Sequence, residues 1–247
     1  MFVTCLCPTY LRPECVAQTI VLFERQTYPP ERRFLLVFDD AGQLRPKRGD
    51  RWAIVSVPQR YSSLPEKYGA MLELCPDMTE AIVVWDDDDL YLSRHIEASV
   101  AALQDAGWAH PRYVYSVYAG RLQVERSDGR FHAALAMRWE TCLSVGGWPA
   151  TRRADFDQQL LAKLQAQFGP AGDSSRLWGP TYVHWFSNGL WHSQLFMRSP
   201  DDEEWYDRIA KPTYRRNIDI TPALIPEAAR LLKKLDRTHF KTSLRVS

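Results

Sequence analysis

The chain has 247 residues, of which 45% are hydrophobic and 25% charged, and its formal net charge is +1. This length buries a substantial core, and the composition excludes a disordered or low-complexity chain. No apolar run approaches the ~20 residues of a membrane helix, so no membrane partner is expected.

The first half alternates strand and helix patterns. Phe2–Leu6 reads as a strand, and residues 1–8 lack the basic start of a signal peptide. A helix follows from about Pro13, with Val16, Ile20 and Phe23 on one face. Phe34–Phe38 is a second strand, ending in Asp39-Asp40-Ala41-Gly42, and Trp52–Val57 is a third. Ser63 opens a helix that runs to Leu74, and Ala81–Trp85 is the fourth strand. Ser93 is expected to cap a helix carrying Ile96, Val100 and Leu103, closed by Gly107. This order predicts an α/β fold with a mostly parallel sheet, helices on both faces and right-handed crossovers. Ligands of such sheets sit at the carboxyl ends of the strands, where Asp39-Asp40 and Asp86–Asp89 fall.

The second half changes character. Tyr113–Tyr118, Arg121–Arg126 and Phe131–Arg138 read as a meander, with turns at Ala119-Gly120 and Asp128-Gly129. Asp155 begins a helix with Phe156, Leu160, Leu164 and Phe168 on one stripe, stopped by Gly169. Gly169–Gly179 is expected to be a mobile loop, and Thr181–Phe186 a last strand leading to His192.

The most informative run is Trp85-Asp86-Asp87-Asp88-Asp89, behind the apolar stretch Ala81–Val84. Four adjacent carboxylates repel one another and persist most easily where a cation compensates them. On an extended backbone Asp86 and Asp88 point the same way, and hard oxygen ligands of this kind suit Mg²⁺ or Mn²⁺ beside a diphosphate. A solvated acidic turn, or acids preceding the next helix, is the alternative. The five scattered cysteines fit reduced thiols in a cytosolic compartment, and Cys5-x-Cys7 lacks companion ligands for zinc. Residues 207–247 carry ten Lys/Arg against four Asp/Glu, net +6, so the first 206 carry −5. Such a basic tail fits a polyanionic partner or a solvated helix face.

Several strings together resemble one family. Cys7-Pro8-Thr9-Tyr10 with Arg12-Pro13, Gln26-Thr27-Tyr28-Pro29, Phe38-Asp39-Asp40-Ala41-Gly42 and Asp86–Asp89 resemble, in order and spacing, the elements of family-2-type glycosyltransferases. Val145-Gly146-Gly147-Trp148 and Asp155-Phe156-Asp157 resemble that family's later G-G-F and E-D elements. The resemblance covers about residues 2–200 and implies a GT-A (Rossmann-like) fold that transfers a sugar, usually with inversion, from a nucleotide donor. It implies a catalytic domain over 1–206, with a nucleotide-sugar half at 1–108 and an acceptor half at 109–206, and a basic extension at 207–247.

The resemblance also implies roles. Pro8, Thr9, Tyr10 and Arg12 match the nucleotide-facing first loop, and Asp39 or Asp40 the acceptor of the base N–H. Asp86 and Asp88 match the D-x-D pair at the ribose and a Mn²⁺ or Mg²⁺ ion, with Asp87 between them on the donor side. Lys67 stands near the diphosphate, although Tyr68 replaces the Asn that often follows. Asp155 matches the general base, with Asp157 as rival because Ala154 replaces the preceding glutamate. His192, or else His184, matches a late metal ligand. These residue types suit the chemistry: a nucleoside diphosphate leaves once its charge is neutralised, and one carboxylate takes the acceptor proton.

Between Trp178 and Arg216 aromatic and basic residues interleave, which suits stacked sugars as well as nucleobases and phosphates. Compact phage enzymes that glycosylate 5-hydroxymethylcytosine in DNA are similar here, so the leading acceptor is DNA; the base-binding carboxylate of the family commonly meets uracil, so the expected donor is a UDP-sugar. A saccharide acceptor and a non-catalytic nucleotide-binding module are the alternatives. A nucleotidyltransferase is disfavoured, because Cys5–Pro13 contains no glycine. The expected location is cytoplasmic, the host cytoplasm for a viral chain.

Overall fold

A computed structural model describes residues 1–118, 121–153, 155–185 and 226–242 of the chain. A seven-stranded sheet forms its centre. In chain order its strands are β1 (Val3–Thr9), β2 (Arg33–Asp39), β3 (Lys47–Arg48), β4 (Trp52–Ser56), β5 (Ala81–Val84), β7 (Trp108–Ala109) and β10 (Ala136–Arg138). Their spatial order is β3-β4-β2-β1-β5-β10-β7. The four strands β4, β2, β1 and β5 are parallel, joined by α1 (Pro13–Glu24) and α2 (Leu64–Glu73), while β3 and β10 pair antiparallel to their neighbours.

Period-two alternation sends successive side chains of the central strands to opposite faces. Val3, Cys5, Leu35, Val37, Ala81 and Val83 pack under α1, α3 (His95–Ala102) and α6 (Pro226–Thr242), through Ile20, Phe23, Ile96, Leu232 and Leu235. Leu6, Leu36, Phe38, Ile82 and Val84 pack on the other face under α2, α4 (Trp139–Ser144) and α5 (Phe156–Phe168), through Met71, Cys142, Leu160 and Leu164. Both faces are therefore covered, as a parallel sheet requires. Helix α2 begins as expected: Ser63 Oγ accepts from the Glu66 N–H, and Pro65 occupies the first turn.

A second sheet of order β6-β11-β8-β9 combines β6 (Leu90–Tyr91), β8 (Tyr113–Tyr118), β9 (Arg121–Arg126) and β11 (Tyr182–Trp185). The hairpin β8–β9 forms as read, and Asp128-Gly129 turns with φ of 47° and 75°. The turn read at Ala119-Gly120 lies outside the described residues.

Four local expectations are corrected. Strand β1 runs on to Thr9, so Pro8 and Thr9 end a strand and only Tyr10 onward forms the first loop. Phe131–Arg138 is not a third meander strand. Phe131 takes a left-handed φ of 65°, a 3₁₀ turn spans His132–Ala134, and the chain re-enters the first sheet as β10. The apolar run Ala133–Met137 is buried, whereas a meander edge would have left half of it exposed. Helix α3 starts at His95 without a side-chain cap and ends at Ala102, with Leu103 as its C-cap, short of Gly107. Ser93 instead offers its carbonyl to the Thr27 N–H (2.7 Å).

The segment Gly169–Gly179 is pinned rather than loose. Gly172 exchanges backbone bonds with Trp108 and His110 (2.9 Å each), and the Asp173 carboxylate accepts from the Arg112 N–H, the Ser175 N–H and the Ser175 hydroxyl. A Cβ at Gly172 would sit 2.1 Å from the Ala102 carbonyl oxygen. Gly172→Ala is therefore expected to destabilise by about 3 kcal/mol or more, read as a fall in the thermal midpoint, because backbone must move.

All five cysteines are free thiols, four of them buried. Among the described residues, no helix is long and apolar enough to cross a membrane.

Candidate active site

Strand β5 stops at Val84, and the next five residues build the site. Trp85 continues the ladder through its N–H to the Leu6 carbonyl (2.9 Å) and stacks, fully buried, on Tyr91 at 3.9 Å between ring centres. The Asp86 N–H donates to the Tyr91 hydroxyl (2.6 Å), and the backbone turns at Asp87-Asp88. Asp86, Asp88 and Asp89 each bring a carboxylate oxygen within 4.8 Å of the others. They converge through this turn, not through the extended alternation expected from the sequence.

The four carboxylates have different partners. Asp87 is sealed inside, accepting from Thr9 Oγ1 (2.6 Å) and paired with Arg12 Nη2 (2.8 Å). Asp88 receives the other arm of the Arg12 guanidinium (2.5 Å). Asp89, also buried, accepts from the Tyr182 hydroxyl (2.5 Å) and the Trp185 N–H (2.9 Å), and faces His184 Nδ1 (3.2 Å). One arginine thus spans two aspartates, and Asp89 fastens β11 to the strand end.

The electrostatics follow. Burial, reinforced by Asp89, Asp88 and Asp87, pushes the Asp86 carboxyl well above the usual carboxylate range, with Arg12 opposing. Burial also raises Asp87, which Arg12 only partly offsets. For Asp89 burial acts upward, but His184, Tyr182 and the Trp185 N–H together hold its carboxyl below the usual range. Burial acts downward on His184, yet its partner Asp89 raises the imidazole. A cluster short of positive charge and built of hard oxygens fits a divalent cation, with Asp86, Asp88 and Asp89 as holders.

The remaining donor-side candidates lie at the ends of β1 and β2 and on α2. Asp39 is completely buried, and its oxygens accept from the Ala41, Gln43 and Leu44 N–H groups and the Ser56 hydroxyl (2.7–3.1 Å). Its carboxylate therefore shapes the loop after β2. Asp40 accepts from the Tyr61 N–H (3.1 Å) and pairs with Lys67 Nζ (2.5 Å). Lys67 also donates to the Thr9 carbonyl (2.6 Å), and burial lowers its pKa against the pull of Asp40. Pro8 and Thr9 are buried, while Tyr10 is half-buried beneath the Arg60 guanidinium at 4.2 Å. Leu11, between Tyr10 and Arg12, has a left-handed φ of 56°, a strained backbone of the kind that gathers at functional sites.

Asp155 precedes α5, half-buried, with both oxygens on Arg153 (2.9 Å each) and one also on Gln159 Nε2 (3.0 Å). Its side chain caps no helix N–H, and Arg153 holds its carboxyl below the usual range. Asp157 Oδ1 accepts from the Gln158 N–H (2.8 Å). His192 lies outside the described residues. Of the aromatic and basic face, Arg176 and residues 178–185 alone are described. Tyr182 is buried core there, and Trp178 stacks under Arg94 at 5.4 Å.

Two contributors were not singled out in the sequence. Asp89 belongs to the acidic run, but no local signal marks it as the partner of Tyr182, His184 and Trp185, which lie 93–96 residues away. Tyr91, which positions the Asp86 N–H, had no sequence signal beyond its nearness.

No protein-family model matches the chain, and no curated protein matches it. Solved structures do. The chain superposes over 100% of its length on S. aureus TarS 1–349 in complex with UDP-GlcNAc, with a TM-score of 0.62 and 14% identity, covering 76% of that chain. It spans 46% of the longer S. aureus TarS chain, with a TM-score of 0.60. Mannosyltransferase PcManGT from Pyrobaculum calidifontis, in complex with GDP-Man and Mn²⁺, matches over 99% of the chain and 75% of its own, with a TM-score of 0.56 and 15% identity.

The fold is GT-A. At these identities the likeness establishes architecture alone. In that architecture the acidic turn follows a central strand at the carboxyl edge of the sheet, where α/β folds bind their ligands.

Proposed function

We propose that the chain is a metal-dependent, inverting glycosyltransferase taking its sugar from a nucleotide donor, a UDP-sugar first. The observation that carries this reading is the convergence of Asp86, Asp88 and Asp89 at the end of β5. It is supported by solved proteins of the same fold that bind UDP-GlcNAc, or GDP-Man with Mn²⁺. A divalent ion held by these carboxylates supplies charge neutralisation for a departing diphosphate. Arg12 orients Asp88, and Tyr10, with the loop shaped by Asp39 and Asp40, lines the nucleotide side. Asp155, released from Arg153, takes the acceptor proton, with Asp157 as the rival base. Residues 1–108 then form the donor half, 109–206 the acceptor half and 207–247 the basic extension.

For the acceptor, the net +6 of residues 207–247 favours a polyanion, and 5-hydroxymethylcytosine DNA is the first candidate. A saccharide acceptor is the alternative, decided by mass spectrometry of both after incubation with nucleotide sugars. The metal assignment is tested by Asp86→Asn and Asp88→Asn. Each is expected to abolish the Mn²⁺-dependent thermal shift given by UDP while the chain stays folded. An undiminished shift in both would contradict the assignment.

A further inference from the structure

His132 has no part in the reading above, yet the fold holds it more firmly than most half-buried histidines. Its Nε2 receives the Trp148 indole N–H at 2.7 Å. An indole N–H only donates, so Nε2 must accept and the ring proton resides on Nδ1. Three rings fix the orientation: Phe156 at 5.3 Å, Tyr68 at 5.4 Å and Trp148 at 6.0 Å between centres, all nearly edge-on. Trp148 is itself stacked on Tyr68 at 4.2 Å. Burial pushes the imidazole pKa down to about 3, so the ring stays neutral and cannot serve as an acid. With Nε2 engaged, it cannot serve as a base either. One polar function remains, the Nδ1–H. Among the described residues it has no acceptor, and it is not closed off from solvent as the Tyr68 hydroxyl is.

The position of this donor is informative. The next residue, Ala133, offers its carbonyl to the Tyr91 hydroxyl (3.4 Å), which also receives the Asp86 N–H. The preceding residue, Phe131, packs on His184, the partner of Asp89, at 5.1 Å. On its other side His132 touches Phe156, the neighbour of Asp155. The left-handed φ of 65° at Phe131 is the strain that turns the chain into this place. An in-line displacement puts the leaving diphosphate and the incoming hydroxyl on opposite sides of the anomeric carbon. The transferred sugar then lies between the acidic turn and the start of α5, where His132 stands.

We infer that His132, locked by Trp148 with its proton on Nδ1, donates a hydrogen bond to an oxygen of the transferred sugar and helps select the donor. This rests on the nucleotide-sugar reading. It is tested by measuring, at saturating Mn²⁺, the affinities of UDP, UDP-GlcNAc, GDP and GDP-mannose for the native protein and for His132→Phe. The double variant His132→Phe/Trp148→Phe leaves no indole N–H stranded and guards against simple unfolding. The native protein is expected to bind one sugar nucleotide more tightly than its parent nucleotide. The variants should lose about five- to tenfold of that preference, the worth of one neutral hydrogen bond, and keep nucleotide affinity. An equal preference in native and variant proteins overturns the inference, as does no preference in the native protein. Failure to bind any nucleotide overturns the nucleotide-sugar reading itself.

Discussion

Asp155→Asn is expected to lower sugar transfer by at least ~10²-fold while leaving nucleotide affinity nearly unchanged. The substitution keeps the size and the hydrogen-bonding oxygen of the side chain but removes its capacity to take a proton. Asp155 is half-buried at the start of α5 and held by Arg153 and Gln159 rather than by the acidic turn, so its loss should not disturb that turn. Its pairing with Arg153 keeps the carboxylate ionised but makes it a weaker base until the guanidinium moves away. Asp157→Asn should be milder, since that carboxylate is engaged with the Gln158 N–H. Initial rates combined with calorimetric nucleotide titrations distinguish the two. The reverse order of effects would make Asp157 the base.

The largest effect on stability is expected at Lys67. Its ammonium and the Asp40 carboxylate are both buried, 2.5 Å apart, and the same nitrogen holds the Thr9 carbonyl at the end of β1. Lys67→Met strands a buried negative charge and should cost about 3–5 kcal/mol in denaturant unfolding. Lys67→Met with Asp40→Asn removes both charges, keeps an acceptor for the Tyr61 N–H, and should recover much of that loss. If Lys67→Met instead unfolds like the native chain but loses nucleotide affinity, Lys67 acts on the diphosphate and not as a buried strut.

The parts of the fold legible in the sequence were those governed by local pattern. The apolar runs Phe34–Phe38 and Ala81–Val84 form strands of the central sheet, and Ser63 and the Val16/Ile20/Phe23 stripe mark their helices as read. What failed depended on contacts between distant residues. Whether Phe131–Arg138 extends a hairpin or crosses to another sheet is decided by β5 and β7, which share no local signal with it. Gly169–Gly179 has loop composition, but Trp108, His110 and Arg112 pin it.

The site shows the same division. The acidic run marked where carboxylates would gather, but periodicity carries no information about the turn at Asp87-Asp88. The distinct partners of the four acids were hidden too: Arg12 is 75 and 76 residues away from Asp87 and Asp88, and Tyr182 is 93 from Asp89. Lys67 drew attention only through the resemblance, and its buried pairing with Asp40 required β1, β2 and α2 to meet.

A cation-dependent nucleotide-sugar site is tested most directly by calorimetric titration of the native chain with UDP-GlcNAc and with GDP-mannose, in the presence of Mn²⁺ and again after chelation with EDTA. Saturable binding of at least one of them is expected with Mn²⁺, weakened by more than about tenfold on chelation, a coupling of at least ~1.4 kcal/mol. Equal binding with and without the ion, or none in either condition, would contradict a cation-dependent nucleotide-sugar site at Asp86, Asp88 and Asp89.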